Sequence, residues 1–323
     1  MLYGHRVAVV LPTYNRYAYL REALLSVLSQ TRPADRIVVV DDGSTDDTHL
    51  IAKEFPEVDY VCKANEGLSA ARNFGAARAE DCELLVFLDD DDRLMPNSLE
   101  LQVAEFARRP EIGIVYGRAL LIDGQGRRIG EHLRNHKPPA AVLEHLLVDN
   151  YILIQTVMVR HSALRAVGGF RRFLGEDLDL YIRLALNKVP FSFLDYPLAE
   201  YRKLPGTMSA NKLQYASAIL RMIERHLPDL PQERTPLYHT AFYHYRVGRA
   251  ALEQKEYEVA RAELAMAIRG RPVQPHFWLY WVTARFPRVL EGVLKAGRSL
   301  KRKLADLLVA LGLREKRWGT PTP

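Results

Sequence analysis

Cysteine is almost missing from this chain: Cys62 and Cys82 are the only two in 323 residues. A disulfide framework is thereby excluded as a source of stability, and a reducing compartment fits. Long apolar runs are missing as well. No stretch of 18 or more apolar residues occurs that would span a bilayer as a helix. The N-terminus enters a strand almost at once, at Arg6 to Leu11, with no apolar stretch and small-residue cleavage site ahead of it, so no signal peptide is expected. Net charge is scarce over most of the length. The formal charge is +6, yet from Arg285 onward ten Lys/Arg stand against three Asp/Glu, which leaves residues 1–284 close to neutral. The basic character belongs to the tail, so it argues for a tail function and not for a basic active site. No nucleic-acid partner is expected. What remains, with 48% hydrophobic and 26% charged residues, is an ordinary globular composition, long enough for one large or two modest domains.

Against that background one stretch stands out, LLVFLDDDD at Leu84 to Asp92. A short apolar run reads as a strand buried in a covered sheet. Its end delivers Asp89, Asp90, Asp91 and Asp92 to the carboxyl edge, where open α/β sheets place their ligands. Four adjacent carboxylates repel one another, and a cation offsets that cost. Their hard oxygens suit Mg²⁺ or Mn²⁺. An isolated acidic cluster is more often a solvated loop; the strand running straight into this one favours a site.

The rest of the first 209 residues alternates in the same manner. Residues 6–11 read as a strand, Tyr19 to Gln30 as an amphipathic helix, and Arg36 to Val40 as a second strand closed by Asp41-Asp42-Gly43-Ser44. Thr45 or Ser44 is placed to cap a helix from Asp46 to Phe55. Val58 to Cys62 is a third strand and Gly67 to Arg78 a helix. This β-α-β-α-β order predicts a parallel, doubly wound sheet with right-handed crossovers. Further on, the pattern predicts a helix at Asn97 to Ala107 and a strand at Ile112 to Tyr116. A hairpin follows around Asp123-Gly124-Gln125-Gly126, then a strand-like stretch at Ile152 to Arg160. The series closes with a helix at Leu178 to Asn187, a last strand at Phe191 to Leu194 and a loop at Tyr201 to Ser209.

From residue 210 strand signals stop. Leu213 to His226 and Tyr238 to Gly270 read as helical. Tyr245, Gly248, Ala251, Leu252, Tyr257, Ala260, Leu264, Ala267 and Ile268, followed by Pro272, have the spacing of one tetratricopeptide-like hairpin over residues 210–272. One such hairpin cannot bury its own face, so it is expected to pack on the domain before it or on a partner. Residues 273–323 form a basic tail. Phe277, Trp278, Tyr280, Trp281 and Phe286 precede an amphipathic stripe at Arg288 to Leu311, a pattern suited to an anionic membrane surface or to packing on the hairpin.

Four strand-end motifs thus fall on one edge: Pro12-Thr13-Tyr14, Asp41-Asp42-Gly43-Ser44, the turn before Arg72, and Asp89–Asp92. Together VVLPTYNR (9–16), VVVDDGSTDDT (38–48), NEGLSAARNFGAARA (65–79), FLDDDDRL (87–94) and GEDLDLYIRLA (175–185) resemble the inverting family 2 glycosyltransferases. The resemblance covers about residues 5 to 209. It implies an α/β GT-A fold with a nucleotide-sugar half (1–116) and an acceptor half (117–209), followed by the all-α region. It also implies a hexosyltransferase-type enzyme using Mn²⁺ or Mg²⁺, a nucleotide-sugar donor (a UDP-sugar) and a cell-envelope polysaccharide or lipid-linked acceptor. The setting would be cytoplasmic or peripheral on the inner face of the membrane.

Residue by residue, the resemblance implies that Pro12, Thr13 and Tyr14 flank the nucleotide base and that Asp41 accepts a hydrogen bond from uracil or ribose. Arg72 pairs with a phosphate or buttresses Asp41. The family's Asp-x-Asp falls on Asp89 and Asp91, with Asp91 as direct metal ligand and Asp89 or Asp90 toward the ribose. Asp177, beside Glu176, matches the general base. A carboxylate is a weak base unless burial raises its pKa, so partial burial is expected there; a helix-capping role is the plainer alternative.

One departure is visible. The family often has Tyr-Arg-x-His after the last strand, whereas this chain has Tyr201-Arg202-Lys203-Leu204. Arg202 and Lys203 are left to attract the diphosphate. A nucleotidyltransferase would need a Gly-rich basic loop where Pro12-Thr13-Tyr14-Asn15 stands. A catalytically degenerate scaffold acting through its helical region is the other alternative, and the intact Asp91 and Asp177 argue against it.

Overall fold

A computed structural model describes residues 4–133, 142–204, 211–230, 232 and 234–285. These residues fall into two compact units. The first contains, in order, β1 (Val7–Thr13), α1 (Tyr17–Leu28), β2 (Arg36–Asp41), α2 (Ile51–Glu54), β3 (Asp59–Cys62), α3 (Leu68–Arg78), β4 (Leu84–Phe87), β5 (Arg93–Leu94) and α4 (Ser98–Arg108). It continues with β6 (Ile114–Ile122), β7 (Arg128–His132), α5 (Val142–Leu146), β8 (Met158–Arg160), α6 (His161–Ala166), α7 (Glu176–Leu186) and β9 (Phe191–Arg202). The second contains α8 (Lys212–His226), α9 (Pro236–Glu253), α10 (Tyr257–Gly270) and α11 (Pro275–Arg285).

Among the described residues the sheet has nine strands, in the order β3-β2-β1-β4-β8-β6-β9-β5, with β7 paired to β6. β1 runs parallel to both β2 and β4, and every residue of β1 and β4 is buried. Strands covered on both faces need continuous apolar sequence, which is why VAVVL and LLVF can form only this centre. Helix α3 lies close over it at Gly75, where an added Cβ would come within 2.3 Å of Val10 Cγ1. The core joins Val9, Leu11, Leu24, Val39, Val86 and Phe106 in one cluster. Beyond β4 the sheet turns mixed, since β8 is antiparallel to both β4 and β6.

The largest departure from the sequence reading is β9. It runs on from the expected Phe191–Leu194 through Arg202, so Tyr201 and Arg202 lie in a strand and not in a loop. Asp195, Tyr196 and Pro197 hide this continuity by breaking the apolar pattern. The β6–β9 ladder absorbs them with register shifts around Arg118, where Pro197 needs no ladder donor. The expected strand at Ile112–Tyr116 and the first arm of the hairpin are likewise one strand, β6. The stretch from Ile152 to Arg160 is a 3₁₀ turn at Ile154–Thr156 followed by β8. The helix expected from Asp46 to Phe55 is a 3₁₀ turn, Asp47–Leu50, followed by α2. Its cap is Asp46 in place of Thr45 or Ser44, accepting from the Thr48 amide at 3.0 Å.

In the helical unit, Thr235 caps α9 with Pro236 in the first turn. Gly248 lets α10 approach α9 closely, since a Cβ there would meet Leu264 Cγ at 2.6 Å. The hairpin residues Tyr245, Ala251, Leu252, Ala260, Leu264, Ala267 and Ile268 form one buried cluster that includes Phe277. The Phe277 ring stacks on Tyr245 with centroids 4.9 Å apart, so this residue of the expected membrane-facing set is core. Its burial contributes about 1.5–3 kcal/mol. Trp278, Leu279 and Val282 of α11 are exposed. Phe286 and the stripe at 288–311 lie outside the described residues. Both thiols are free: Cys82 is buried, and Cys62, the register partner of Asp41 at the end of β3, is exposed.

Candidate active site

The carboxyl ends of β2, β1 and β4 lie side by side, and three of the four sequence motifs (Pro12-Thr13-Tyr14, Asp41–Ser44 and Asp89–Asp92) leave the sheet there. The Asp42 amide donates to the Thr13 carbonyl at 2.9 Å, and the Leu88 amide donates to the Val10 carbonyl at 3.0 Å. Asp89–Asp92 therefore emerge beside Thr13, whose hydroxyl donates to Asp90 Oδ2 at 2.8 Å. Pro12 is buried at the end of β1, and Tyr14 is 48% exposed, leaving its ring open to a ligand. Asp41 is buried. It accepts from the Ser44 amide at 2.7 Å and from the Tyr60 hydroxyl, whose pKa burial and Asp41 push up.

Arg72 does not buttress Asp41. Its guanidinium, 1% exposed, donates from Nη2 to Asp89 Oδ1 at 2.5 Å and from Nη1 to Glu176 Oε1 at 2.5 Å. The physical reason is that both oxygens of Asp41 already accept hydrogen bonds, Oδ1 from the Ser44 amide and Oδ2 from the Tyr60 hydroxyl, whereas Asp89 and Glu176 stand beside Arg72 and need a counter-ion. Burial would pull the Arg72 pKa down, but the charges of Asp89 and Glu176 outweigh it and hold the cation firmly protonated.

The acidic turn carries more charge than its partners offset. Burial, with Asp91 and Asp89 as further causes, pushes Asp90 up to about 7 against the pull of Arg16 and Thr13. Asp91 is raised by burial and by Asp89, although Arg16 is ion-paired to it. Asp92 is raised well above the carboxylate range by burial and by Asp89 and Asp91. Its Oδ1 accepts the Arg202 amide at 2.7 Å, while its buried Oδ2 has no hydrogen-bond partner among the described residues.

Asp177 sits in the first turn of α7, after Gly175 in a left-handed conformation (φ 86°). Its Oδ1 accepts the Leu178 amide at 2.7 Å and its Oδ2 accepts Asn150 Nδ2 at 3.1 Å. Burial first, then the charge of Glu176, raises it to about 6. The Tyr181 hydroxyl, one turn along α7, has no hydrogen-bond partner among the described residues, and burial first, then the Asp177 charge, keeps its pKa high.

Arg202 is buried at the end of β9. Its Nε donates to the Asp91 carbonyl at 2.8 Å, its Nη2 to Glu22 Oε2 at 2.6 Å, and its guanidinium lies 5.0 Å from the Tyr19 ring centroid. It thus ties the acidic turn to α1 and to the sheet, and Lys203 Nζ lies over the Tyr201 ring.

Sequence reasoning passed over Arg16, Glu22, Asn150 and Tyr181. Arg16 stands inside the first motif and was legible as the one cation there. Asn150 had no local signal, because only tertiary folding brings it to Asp177.

For a divalent cation, the available donors are hard carboxylate oxygens. Among the described residues no group of three or more His, Cys, Asp or Glu side chains could hold an ion. One or two carboxylates completed by substrate oxygens are what Mg²⁺-type sites use, and Asp91 with Asp89 fit that pattern.

The sheet with its mixed extension and acidic turn is the fold of the GT-A transferases. Two solved structures share it: Staphylococcus aureus TarS 1-349 in complex with UDP-GlcNAc (TM-score 0.61, 19% identity, 86% of this chain and 89% of that one), and the mannosyltransferase PcManGT of Pyrobaculum calidifontis in complex with GDP-Man and Mn²⁺ (TM-score 0.61, 18% identity, 93% and 83%). Residues 8–165 match Glycosyl transferase family 2, so the sheet unit carries a glycosyltransferase domain of that family. A Bacillus subtilis glycosyltransferase named for teichuronic acid biosynthesis is 27% identical over 227 residues, covering 68% of this chain and 88% of the relative. The minor teichoic acid biosynthesis protein GgaB of the same species is 27% identical over 258 residues, 71% of this chain and 28% of the relative.

Proposed function

We propose that residues 1–209 catalyse a metal-dependent, inverting transfer of a sugar from a nucleotide-diphospho-sugar, a UDP-sugar, to a hydroxyl of a cell-envelope polysaccharide or glycolipid. The observation that carries this reading is the Arg72 bridge. It links Asp89 of the acidic turn to Glu176, the neighbour of Asp177, with 2.5 Å contacts on each side. A donor-side carboxylate and a base are thereby held in one rigid arrangement, as a single in-line displacement requires.

Asp177 takes the proton of the acceptor hydroxyl as its oxygen attacks the anomeric carbon. The bond from that carbon to the diphosphate oxygen breaks, and its electron pair leaves with the nucleotide. A pKa near 6 leaves Asp177 ionised at neutral pH yet more basic than an ordinary carboxylate. Tyr14, Thr13 and Pro12 line the base side, and Asp41 and Asp90 face the nucleoside. Asp91 and Asp89 would hold a divalent cation, which would supply charge stabilisation for the departing diphosphate. The envelope acceptor is supported by the names of the two Bacillus subtilis relatives, and a nucleotide-sugar donor by the ligands of the two solved structures.

The test is a screen of labelled UDP-, GDP- and dTDP-sugars with Mn²⁺, in wild type and Asp91→Asn. Turnover should require the metal and vanish in Asp91→Asn while the fold is kept. Full activity in EDTA, or equal activity in the variant, would remove the metal assignment.

We infer further that the chain associates peripherally with the cytoplasmic face of an anionic membrane. Exposed Trp278, Leu279 and Val282 and the surplus of positive charge from Arg285 onward support this. The full chain should co-sediment with phosphatidylserine vesicles, more weakly as salt rises, since screening acts over about 8 Å at physiological ionic strength. Absence of binding at low salt would overturn it.

A further inference from the structure

The proposed reaction leaves one cation of the site without a task. Arg16 lies at the start of α1 and follows Asn15, whose φ of 54° places it in the left-handed region. A non-glycine residue there is costly, though Asn tolerates it better than most. The strain is held by neighbours: the Asn15 amide donates to Ser44 Oγ at 2.8 Å, and its side-chain Oδ1 accepts from the Thr45 amide at 2.7 Å. The turn is therefore fastened to the end of β2, and Arg16 is aimed at the acidic turn. It is ion-paired with Asp91, and its Nη1 lies 3.5 Å from Asp90 Oδ1. The Arg16 side chain is 36% exposed against 14% for Asp91, so the guanidinium stands on the solvent side of the carboxylate.

We propose that Arg16 is an exchangeable internal counter-ion for Asp91. It neutralises the carboxylate while no donor is bound. When the nucleotide diphosphate arrives, Arg16 moves to the diphosphate and leaves Asp91 to the divalent cation. This rests on the metal-dependent reading above. A guanidinium and a divalent cation compete for the same oxygens and repel each other, so the metal binds the free protein weakly. A diphosphate offers the guanidinium a better, bidentate partner. Nucleotide and metal then bind with positive coupling, each strengthening the other by the same factor.

The experiment titrates Mn²⁺ into the full chain and follows free Mn²⁺ by electron paramagnetic resonance, with and without UDP, in wild type and Arg16→Gln. In wild type, UDP should tighten Mn²⁺ binding. In Arg16→Gln, Mn²⁺ without UDP should bind about fivefold tighter, the scale set by a partly exposed ion pair, and the gain from UDP should shrink. Arg16→Lys, which restores the charge, should return toward wild type. Unchanged Mn²⁺ affinity in Arg16→Gln, with wild type still binding Mn²⁺ in the presence of UDP, overturns the counter-ion while sparing the metal reading. No Mn²⁺ binding by wild type even with UDP overturns the metal reading itself. Wild type alone is also decisive, since equal Mn²⁺ affinity with and without UDP refutes the exchange whatever the variants do.

Discussion

Replacing Arg72 with Met is the most demanding test of how this site is held together. The change keeps length and contact with Phe170, whose ring centroid lies 5.3 Å from the guanidinium, and removes only the charge and its donors. Glu176, 7% exposed, loses its counter-ion inside the protein. The Asp89 side chain is 31% exposed and regains water. Removing one partner of a buried pair costs about 3–5 kcal/mol, and the exposure of Asp89 places this case at the low end, about 3 kcal/mol. The Arg72 Nε, buried without a partner among the described residues, is lost as well, which works in the same moderating direction. At about 2–4 °C per kcal/mol for a domain of this size, Tm should fall by about 6–12 °C. Calorimetry or far-UV circular dichroism is the right assay. Tryptophan occurs only at 278, 281 and 318, so its emission cannot follow the sheet unit. Arg72→Met combined with Glu176→Gln should recover most of the loss, because a neutral partner of similar volume needs no counter-ion. A loss below about 1 kcal/mol, or one that Glu176→Gln does not relieve, would refute the view that Arg72 and Glu176 depend on each other.

Asp177→Asn should cost roughly 10²–10⁴ in rate while donor binding is kept; loss of donor binding with the rate intact would make it a donor-side group. In wild type, kcat/KM should fall as pH drops below about 6, because protonation silences the base. The fold raises this carboxylate, so it penalises the ionised form above that pH. Asp177→Asn should therefore not lower Tm at pH 7.5, and a drop of several degrees would contradict the assigned cause. Gly75→Ala should destabilise by about 1–3 kcal/mol, since its Cβ would overlap Val10; an unchanged denaturation midpoint would show that α3 yields easily.

The centre of the parallel half was legible because β1, β2 and β4 are buried on both faces, and VAVVL, IVVV and LLVF carry that burial as unbroken apolar runs. β9 was not, because a strand that bends through Asp195-Tyr196-Pro197 keeps no period of two. In the site, Asp89–Asp92 and Asp177 were legible as charges that a strand end or a helix start presents. Their partners were harder to read. Arg72 gave no sign in sequence that it would choose Asp89 and Glu176, which lie 17 and 104 positions away, over Asp41. That choice depends on tertiary partners, because the Ser44 amide and the Tyr60 hydroxyl already engage both oxygens of Asp41. Arg202 was expected to face a ligand, and strand continuation instead surrounds it with Glu22, Tyr19 and the Asp91 carbonyl.

The two thiols differ in a way that gives the molecule a built-in attachment point for a probe. Cys82 is 2% exposed and its pKa is raised by burial, so it is slow to form the reactive thiolate. Cys62 is exposed and sits level with Asp41 across the β2–β3 ladder. A maleimide dye added to the native, unmutated protein should therefore attach at one position, on the rim of the nucleotide edge. Its emission then offers a direct view of donor arrival, in real time and with no acceptor present, so donor specificity is open to measurement before the acceptor is known.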